Sequence, residues 1–179
     1  QRAQLLATIA GKIQPKTIIL ISPNHFSRGD NTIVTSDQTW RLSNGRTVTP
    51  ATPVMDALSA AMHLPRDPLA FSDEHGIKNI LNDINTFFPD AQLLPIILKD
   101  DTHATAVAEL GAALAQACPD CLLIASIDAS HYLPAHVADV HDVLTLRALT
   151  KLDEEAAWKA EIDSNPSMAL LIFWAKKQS

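Results

Sequence analysis

Residues 17–25 have the sequence Thr-Ile-Ile-Leu-Ile-Ser-Pro-Asn-His, and this stretch decides the fold. Its first part is short, rich in β-branched residues and apolar without alternation, which is typical of a central strand covered on both faces. Residues 92–98 and 121–127 have the same character, and helical spacing of apolar residues marks the segments between and after them. Buried strands that alternate with helices predict a three-layer α/β/α domain with a mostly parallel central sheet.

A small β-hairpin insertion is predicted between the first two buried strands. Residues 39–42 and 46–49 are short strand-like segments, and the Asn44-Gly45 pair between them favours a tight turn. Because no internal repeat or linker interrupts the chain, we expect residues 1–179 to form a single domain. Apolar residues at helical spacing predict a helix over residues 2–14. The first residue is Gln1 rather than Met and already belongs to the body of this helix, so we expect the domain to be truncated at its start.

The composition argues against several classes of protein. Of the 179 residues, 47% are hydrophobic and 19% are charged, which is an ordinary globular mixture, and the formal net charge is −6. An acidic chain without a basic run would repel a phosphate backbone, so we expect no nucleic acid partner. The apolar runs are far shorter than the roughly 20 residues that cross a bilayer, so we expect no membrane association. Two cysteines and no visible signal peptide favour a cytoplasmic location.

Histidines follow two of the three buried strands. His25 comes after the first strand, and Asp128 and His131 come after the third. Ligands of open α/β sheets bind at the carboxyl ends of the strands. A third polar cluster, Asp73-Glu74-His75, opens a helix. If these segments meet at one edge of the sheet, they surround a cleft with imidazoles and carboxylates, which is the composition of a metal site or an acid–base site.

Each of these residues also has a purely structural explanation. His25 can bond its loop neighbours, and the acids at 73 and 74 can stabilise a helix dipole. The Cys118-Pro-Asp-Cys121 segment has CxxC spacing, but one pair supplies only half of a structural zinc site. Because this pair lies where a helix leads into a strand, and not the reverse, the sequence favours a simple capping turn over a thioredoxin-type motif.

Four motifs resemble those of the Memo family, whose bacterial members are called AmmeMemoRadiSam system protein B. Residues 22–25, Ser-Pro-Asn-His, resemble its G-P-S/N-H segment, and residues 73–77, Asp-Glu-His-Gly-Ile, resemble its D-E-H-S-[IL]-E motif. Residues 92–98 resemble its I-[IV]-P-[IV]-L strand, and residues 126–132 resemble its S-S-D-F-[SC]-H-[YW] motif. The order and approximate spacing agree from residue 17 to about residue 150.

The resemblance implies a fold shared with the class III extradiol dioxygenases, which hold a non-haem iron at the strand ends. It implies that His25 binds the metal and that His75, Asp128 and His131 are active-site residues, with His131 as the acid–base histidine. The implied cofactor is non-haem iron, or another divalent metal such as zinc or copper. The implied partners are a small-molecule substrate and, from the bacterial family name, a radical SAM protein and an AMMECR1-type protein.

The chain departs from the family pattern at four places. The family's final strands are missing after Ser179, so the resemblance implies a domain that is truncated at both ends. The early P-H-A-G-Y-type histidine segment would precede Gln1, and Lys78 stands where the family usually has Glu. The late C-G-x-x-P segment corresponds to residues 162–166, Ile-Asp-Ser-Asn-Pro, which contain no cysteine. Asp163 can replace that cysteine as a carboxylate ligand, which gives the two-histidine, one-carboxylate set of non-haem iron proteins. It can equally cap the helix that follows.

Two functions from different classes therefore compete. The first is a metal-dependent redox or dioxygenase-like enzyme, in which His25, an upstream histidine and Asp163 hold the metal. The second is a non-catalytic binding module that retains the cleft without turnover, which Lys78 and the missing cysteine favour. A hydrolase is the least favoured alternative because no serine lies in a G-x-S-x-G elbow.

Overall fold

The structure, a computed structural model, describes residues 2–178, and the expected truncation points at Gln1 and Ser179 lie outside the described residues. The strands are β1 (Thr17–Pro23), β2 (Ile33–Thr35), β3 (Trp40–Arg41), β4 (Thr47–Val48), β5 (Gln92–Leu98) and β6 (Leu122–Ala125). The helices are α1 (Arg2–Ala10), α2 (Thr52–Met62), α3 (His75–Lys78), α4 (Leu81–Phe87), α5 (Ala104–Ala117), α6 (Ala135–Lys151), α7 (Glu154–Ala157) and α8 (Asn165–Gln178). A 3₁₀ helix spans Pro68–Phe71. Across residues 2–178, no helix combines the length and the apolar character that crossing a bilayer demands.

The central sheet has the strand order β2-β5-β1-β6. Strands β5 and β6 both pair with β1 in parallel, and Ile19 of β1 lies opposite Leu94 on one side and Leu123 on the other. Strand β2 pairs with β5 in the antiparallel direction at the edge of the sheet. Strands β3 and β4 form the separate hairpin, and Gly45 in its turn has a φ of 82°, which glycine adopts without strain. The predicted α/β class, the mostly parallel sheet and the hairpin insertion are confirmed.

The sheet separates two hydrophobic cores, because successive side chains of a strand point to opposite faces. Ile19 and Ile21 of β1 belong to a core that includes buried residues of α2, α5 and α8. Ile18 and Leu20 belong to the other core, with residues of α1, α3, α4 and the hairpin. Every residue of β1 is buried, as the uninterrupted apolar run predicted. The result is the three-layer arrangement, and it leaves the carboxyl ends of the parallel strands open at one edge.

The two cysteines of the Cys118–Cys121 turn lie closer together than the capping-turn interpretation required. Cys118 ends α5, as the capping-turn interpretation expected, and its backbone N–H donates to Leu114 O at 2.9 Å. A bond between the two cysteines was not predicted, yet the structure joins Cys118 and Cys121 by a disulfide. The turn brings the two Cα atoms to 5.4 Å, which lies within the range that a disulfide requires.

Candidate metal-binding site

A small cleft lies at the carboxyl edge of the sheet, between the loops that follow β1 and β6. Its volume is about 110 Å³. His25 comes from the loop after β1, and Ser126 and Asp128 come from the loop after β6. His75 contributes from α3, and Asp163 contributes from the segment before α8. The structure thus brings together four of the residues that the sequence singled out, from parts of the chain up to 138 residues apart by their numbers, 25 to 163.

His25 is held by a buried carboxylate. Its Nδ1 lies 2.6 Å from Glu74 Oε1, and its backbone N–H donates to Glu74 Oε2 at 3.0 Å. The Glu74 side chain is fully buried, whereas the His25 side chain is 23% exposed. Because a carboxylate oxygen accepts, the short contact places a proton on Nδ1, so Nε2 is the ring nitrogen that can bind a metal. An imidazole oriented in this way by a carboxylate is the usual partner arrangement of a metal-binding histidine.

Glu74 is also the residue that starts α3. Its Oε1 accepts from the Gly76 backbone N–H at 3.0 Å, so Glu74 is the N-cap of α3. From the sequence alone, Glu74 is expected only as an acid that stabilises the dipole of this helix. Ser72 lies at the end of the preceding 3₁₀ helix, Pro68–Phe71, and does not cap α3. Glu74 therefore joins the start of α3 to the loop after β1.

Gly76 permits the close approach of α3 to β1. A side chain at this position would overlap the buried Ser22 Oγ and would approach Glu74 Oε1 to 3.2 Å. We expect Gly76→Ala to lower the free energy of unfolding by about 1–3 kcal/mol, because overpacking displaces a buried neighbour. Chemical denaturation measures this change. The double variant Ser22→Ala/Gly76→Ala removes the overlapping hydroxyl and should recover part of the loss, and full stability of the single variant would contradict this packing.

Asp163 faces His25 from the other side of the cleft. Its Oδ2 lies 3.5 Å from His25 Nε2, and its side chain is only 9% exposed. Its Oδ1 is buried and has no hydrogen-bond partner among residues 2–178. Burial raises the pKa of the Asp163 carboxyl above its ordinary value, and the nearby charge of Asp128 adds to this effect. An unpaired buried oxygen beside a free imidazole nitrogen is a donor pair that a cation would satisfy.

The alternative role for Asp163 is not the one that the structure supports. Ser164 makes the capping bond of α8, because its Oγ accepts from the Ser167 backbone N–H at 3.2 Å. The Asp163 backbone N–H donates instead to Asp128 O at 3.1 Å, which ties the segment before α8 to the loop after β6. The Asp163 carboxylate is consequently left facing the cleft.

His75 completes a cluster with His25 and Glu74. One ligand atom from each of these residues lies within 4.8 Å of the others, which is close enough for one ion to contact all three. The ring centroids of His25 and His75 are 4.0 Å apart. However, both Glu74 oxygens are already engaged by His25 and Gly76. The donors that remain free to face an ion are therefore the two imidazoles, together with Asp163.

His131 is not among the residues that line the cleft. Its side chain is exposed, its Nδ1 lies 3.2 Å from Ala129 O, and its ring lies against Tyr132 with centroids 4.5 Å apart. It is still close enough to Asp163 for a positive charge on its ring to lower the Asp163 pKa slightly. Asp128 lines the cleft from an exposed loop position. The catalytic role of His131 stays a prediction.

The structure gives no support to a hydrolase with Ser22 or Ser130 as its nucleophile. Ser22 is fully buried, and its Oγ donates to Pro23 O at 3.1 Å. The Ser130 Oγ donates to Glu161 O at 3.2 Å and is not part of the cleft lining. Neither hydroxyl contacts an imidazole that could act as its base.

Glu74 is the functional residue that sequence reasoning missed. The acid precedes His75 directly in the Asp73-Glu74-His75 motif, but nothing local shows that its partner is His25, which lies 49 positions away. The signal that marks Glu74 is its complete burial, since a buried carboxylate requires hydrogen-bond donors around it. That signal requires the tertiary structure, because burial of position 74 depends on how α3 packs against β1.

The chain was compared with known proteins. A family model described as "Memo-like protein" matches residues 2–169. A MEMO1 family protein of Caldivirga maquilingensis is 27% identical over 147 residues, which cover 80% of this chain and 52% of that protein. A MEMO1 family protein of Pyrobaculum arsenaticum is 30% identical over 156 residues, covering 85% and 55% respectively. The chain thus spans about half the length of these curated relatives.

A solved structure has the same fold. The crystal structure of an uncharacterised Escherichia coli K12 protein, JW3007, matches 97% of this chain and 80% of its own chain. The TM-score is 0.63, and the sequence identity is 14%. At this identity the likeness concerns the three-layer α/β architecture alone.

Proposed function

Because the chain belongs to the Memo-like protein family, we propose that the cleft binds a divalent transition metal and supports redox or dioxygenase-like chemistry on a small molecule. Iron(II) is the metal that we expect first, with zinc and copper as the alternatives. The single observation that carries the proposal is the Glu74-held His25, whose Nε2 lies 3.5 Å from Oδ2 of the buried Asp163 carboxylate. The Oδ1 of that carboxylate has no hydrogen-bond partner among residues 2–178. Such a donor set suits a cation better than it suits an empty protein interior.

The proposed ligands are His25 Nε2, Asp163 and His75. Two imidazoles and one carboxylate form the set that non-haem iron proteins use, and zinc accepts the same donors. In the family pattern a histidine upstream of residue 1 and a late cysteine take part, so Asp163 stands in for the cysteine here. Glu74 orients His25 without binding the ion, because its oxygens already accept three N–H groups.

The remaining residues are proposed to handle the substrate. A bound metal would supply Lewis acidity and, if iron or copper, a redox couple. Ser126 and Asp128 line the cleft and can orient a small polar molecule by hydrogen bonds. His131 is proposed as the general acid–base from the neighbouring loop. Its support is that the loop after β6 carries Ser126 and Asp128 into the same cleft.

Replacing Asp163 tests the proposal. We expect Asp163→Asn to weaken metal binding by more than about 100-fold, because the variant loses a proposed carboxylate ligand whose buried Oδ1 has no hydrogen-bond partner among residues 2–178. Without metal, this variant should be at least as stable as the wild type, since burial disfavours the ionised carboxylate that it removes. Metal should therefore raise the melting temperature of the wild type more than that of Asp163→Asn at the same metal concentration. Thermal unfolding with and without Fe²⁺, under anaerobic conditions, measures both effects.

The matched control is Asp139→Asn, which removes the same charge from an exposed position on α6. It should respond to metal as the wild type does. If wild-type protein prepared anaerobically binds neither iron, zinc nor copper, the proposed function fails. If Asp163→Asn binds metal as tightly as the wild type, the proposed ligand set is wrong.

A non-catalytic partner module is the second candidate. Its specific support is the apolar outer surface of α6, where Val140, Val143 and Leu146 are 61%, 64% and 60% exposed. Following the family name, the proposed partners are a radical SAM protein and an AMMECR1-type protein of the same organism. Purified partners tested by titration should bind Val143→Lys more weakly than wild type. Binding by metal-free protein would favour this role over turnover.

A cytoplasmic location belongs to the same proposal. Its support is the acidic, ordinary globular composition and the presence of only two cysteines. Cell fractionation with an antibody against the chain tests it, and recovery in a secreted fraction would contradict it.

A further inference from the structure

We propose that Cys118 and Cys121 form a reversible dithiol–disulfide site that exchanges with a peptide-sized thiol through Cys118. The site is separate from the candidate metal cleft. Cys121 directly precedes β6, at the amino ends of the parallel strands, whereas the cleft lies at their carboxyl ends. The seven residues of β1 set these ends about 20 Å apart. The two sites share no residue, so this inference stands whether or not the cleft binds a metal.

The backbone holds the two cysteines together without help from the disulfide. Cys118 N–H donates to Leu114 O at 2.9 Å, and Cys121 N–H donates to Cys118 O at 3.2 Å. Pro119 between them has a fixed φ, which stiffens the turn. The two sulfurs therefore remain neighbours when the bond is broken, and closing it again requires no rearrangement of the chain.

The two cysteines differ in their access to solvent. Cys121 is 8% exposed and belongs to the hydrophobic core, whereas Cys118 is half-buried. Both border a cavity of about 480 Å³, which is within the range of small-molecule sites. Lys16 and Asp120 also line this cavity, so its wall carries one charge of each sign. A zwitterionic thiol of tripeptide size matches both the volume and these charges.

A permanent stabilising role explains the Cys118–Cys121 disulfide less well than a reversible role does. The stabilisation that a disulfide provides through the unfolded chain grows with the length of the loop that it closes. This disulfide closes a loop of only four residues, Cys118 to Cys121. Accessible disulfides of this kind are the labile ones, because exchange depends on approach of a thiolate to one sulfur.

The exchange reaction balances with the thiol as the reductant. A thiolate attacks the Cys118 sulfur, forms a mixed disulfide and breaks the bond to Cys121, which leaves as a thiolate and takes up a proton. A second thiolate then attacks the sulfur of the bound thiol and releases Cys118 as a thiolate, which is protonated in turn. The protein disulfide gains two electrons, and two thiols become one low-molecular-weight disulfide.

Glutathione is the probe for the test, with the full chain reduced first and the reductant then removed. On addition of oxidised glutathione, the wild type should recover its internal disulfide without a lasting adduct. Cys121→Ser should retain one glutathione per chain on Cys118, since the resolving thiol is missing. Cys118→Ser should form roughly tenfold less adduct in the same time, because Cys121 is buried. Intact-mass spectrometry counts the adducts.

A second measurement uses the wild type alone, so its result does not depend on whether the cysteine variants fold. In the reduced wild type, a brief pulse of iodoacetamide should alkylate Cys118 before Cys121, as peptide mapping shows. Equal adducts on the two variants, or equal alkylation of the two thiols, would overturn the assignment of Cys118 as the point of attack. A disulfide that millimolar reduced glutathione never opens in the native protein would overturn the reversibility.

Discussion

Replacement of His25 with alanine is expected to abolish metal binding, with an affinity at least about 100-fold below that of the wild type. The reason is that a buried carboxylate fixes the orientation of the His25 ring, so that its Nε2 faces Asp163. Loss of a ligand should cost more than the 10–100-fold that loss of an outer partner costs. Elemental analysis after anaerobic purification and titration with Fe²⁺ or Zn²⁺ measure the effect.

His103→Ala is the control for this experiment. His103 is also exposed, but it lies at the start of α5 and makes no capping bond with its side chain. Its replacement should leave the metal content unchanged. If His25→Ala keeps as much metal as His103→Ala, then His25 is not a ligand, and the proposed function loses its central residue.

Replacement of Glu74 with glutamine is expected to lower metal affinity by about 10–100-fold, which is less than the His25 variant loses. Three N–H groups converge on the two Glu74 oxygens, from His25 Nδ1, the His25 backbone and Gly76. A glutamine offers only one acceptor oxygen, so one of these donors must face an NH₂ group. The free energy of unfolding should fall by about 1–3 kcal/mol for the donor left unpaired.

Asp73→Asn is the control because it makes the same chemical change one residue earlier, on a side chain that is 59% exposed and paired with Arg28. Its effect on metal affinity and stability should be small. The size of the Glu74 effect separates two roles. A loss as complete as that of His25→Ala would make Glu74 itself a ligand, and an unchanged affinity would mean that the ring orientation does not depend on Glu74.

The candidate site could be predicted only in part from the sequence. His25, His75 and Asp128 were expected at one edge because they follow or precede elements that the motifs marked, and they do line one cleft. Asp163 could be either a ligand or a helix cap until the structure gave the capping bond to Ser164. The disulfide was not predicted, since CxxC spacing alone does not fix the direction in which two side chains point.

The sequence predicts which strands and helices exist better than it predicts the residues at which they begin and end. The helix expected over residues 2–14 ends at Ala10, just before Gly11, and the third buried strand ends at Ala125. Short strands are defined by the partners that they pair with, and β6 pairs with β1 over only four residues. The residues after that pairing, Ser126 to Asp128, are thereby released to form the loop that reaches the cleft.

The sequence by itself determined the layered α/β architecture. Uninterrupted apolar runs predict strands that are covered on both faces, and helical periodicity predicts the helices that cover them. It also determined that imidazoles follow two of the strands. Only the tertiary structure decided that Glu74 holds His25, that Asp163 faces His25 from the other side, and that Cys118 reaches Cys121 beside a cavity. These pairings depend on distances, burial and side-chain direction between segments far apart in the chain or around a turn, and no local pattern of residues encodes those quantities.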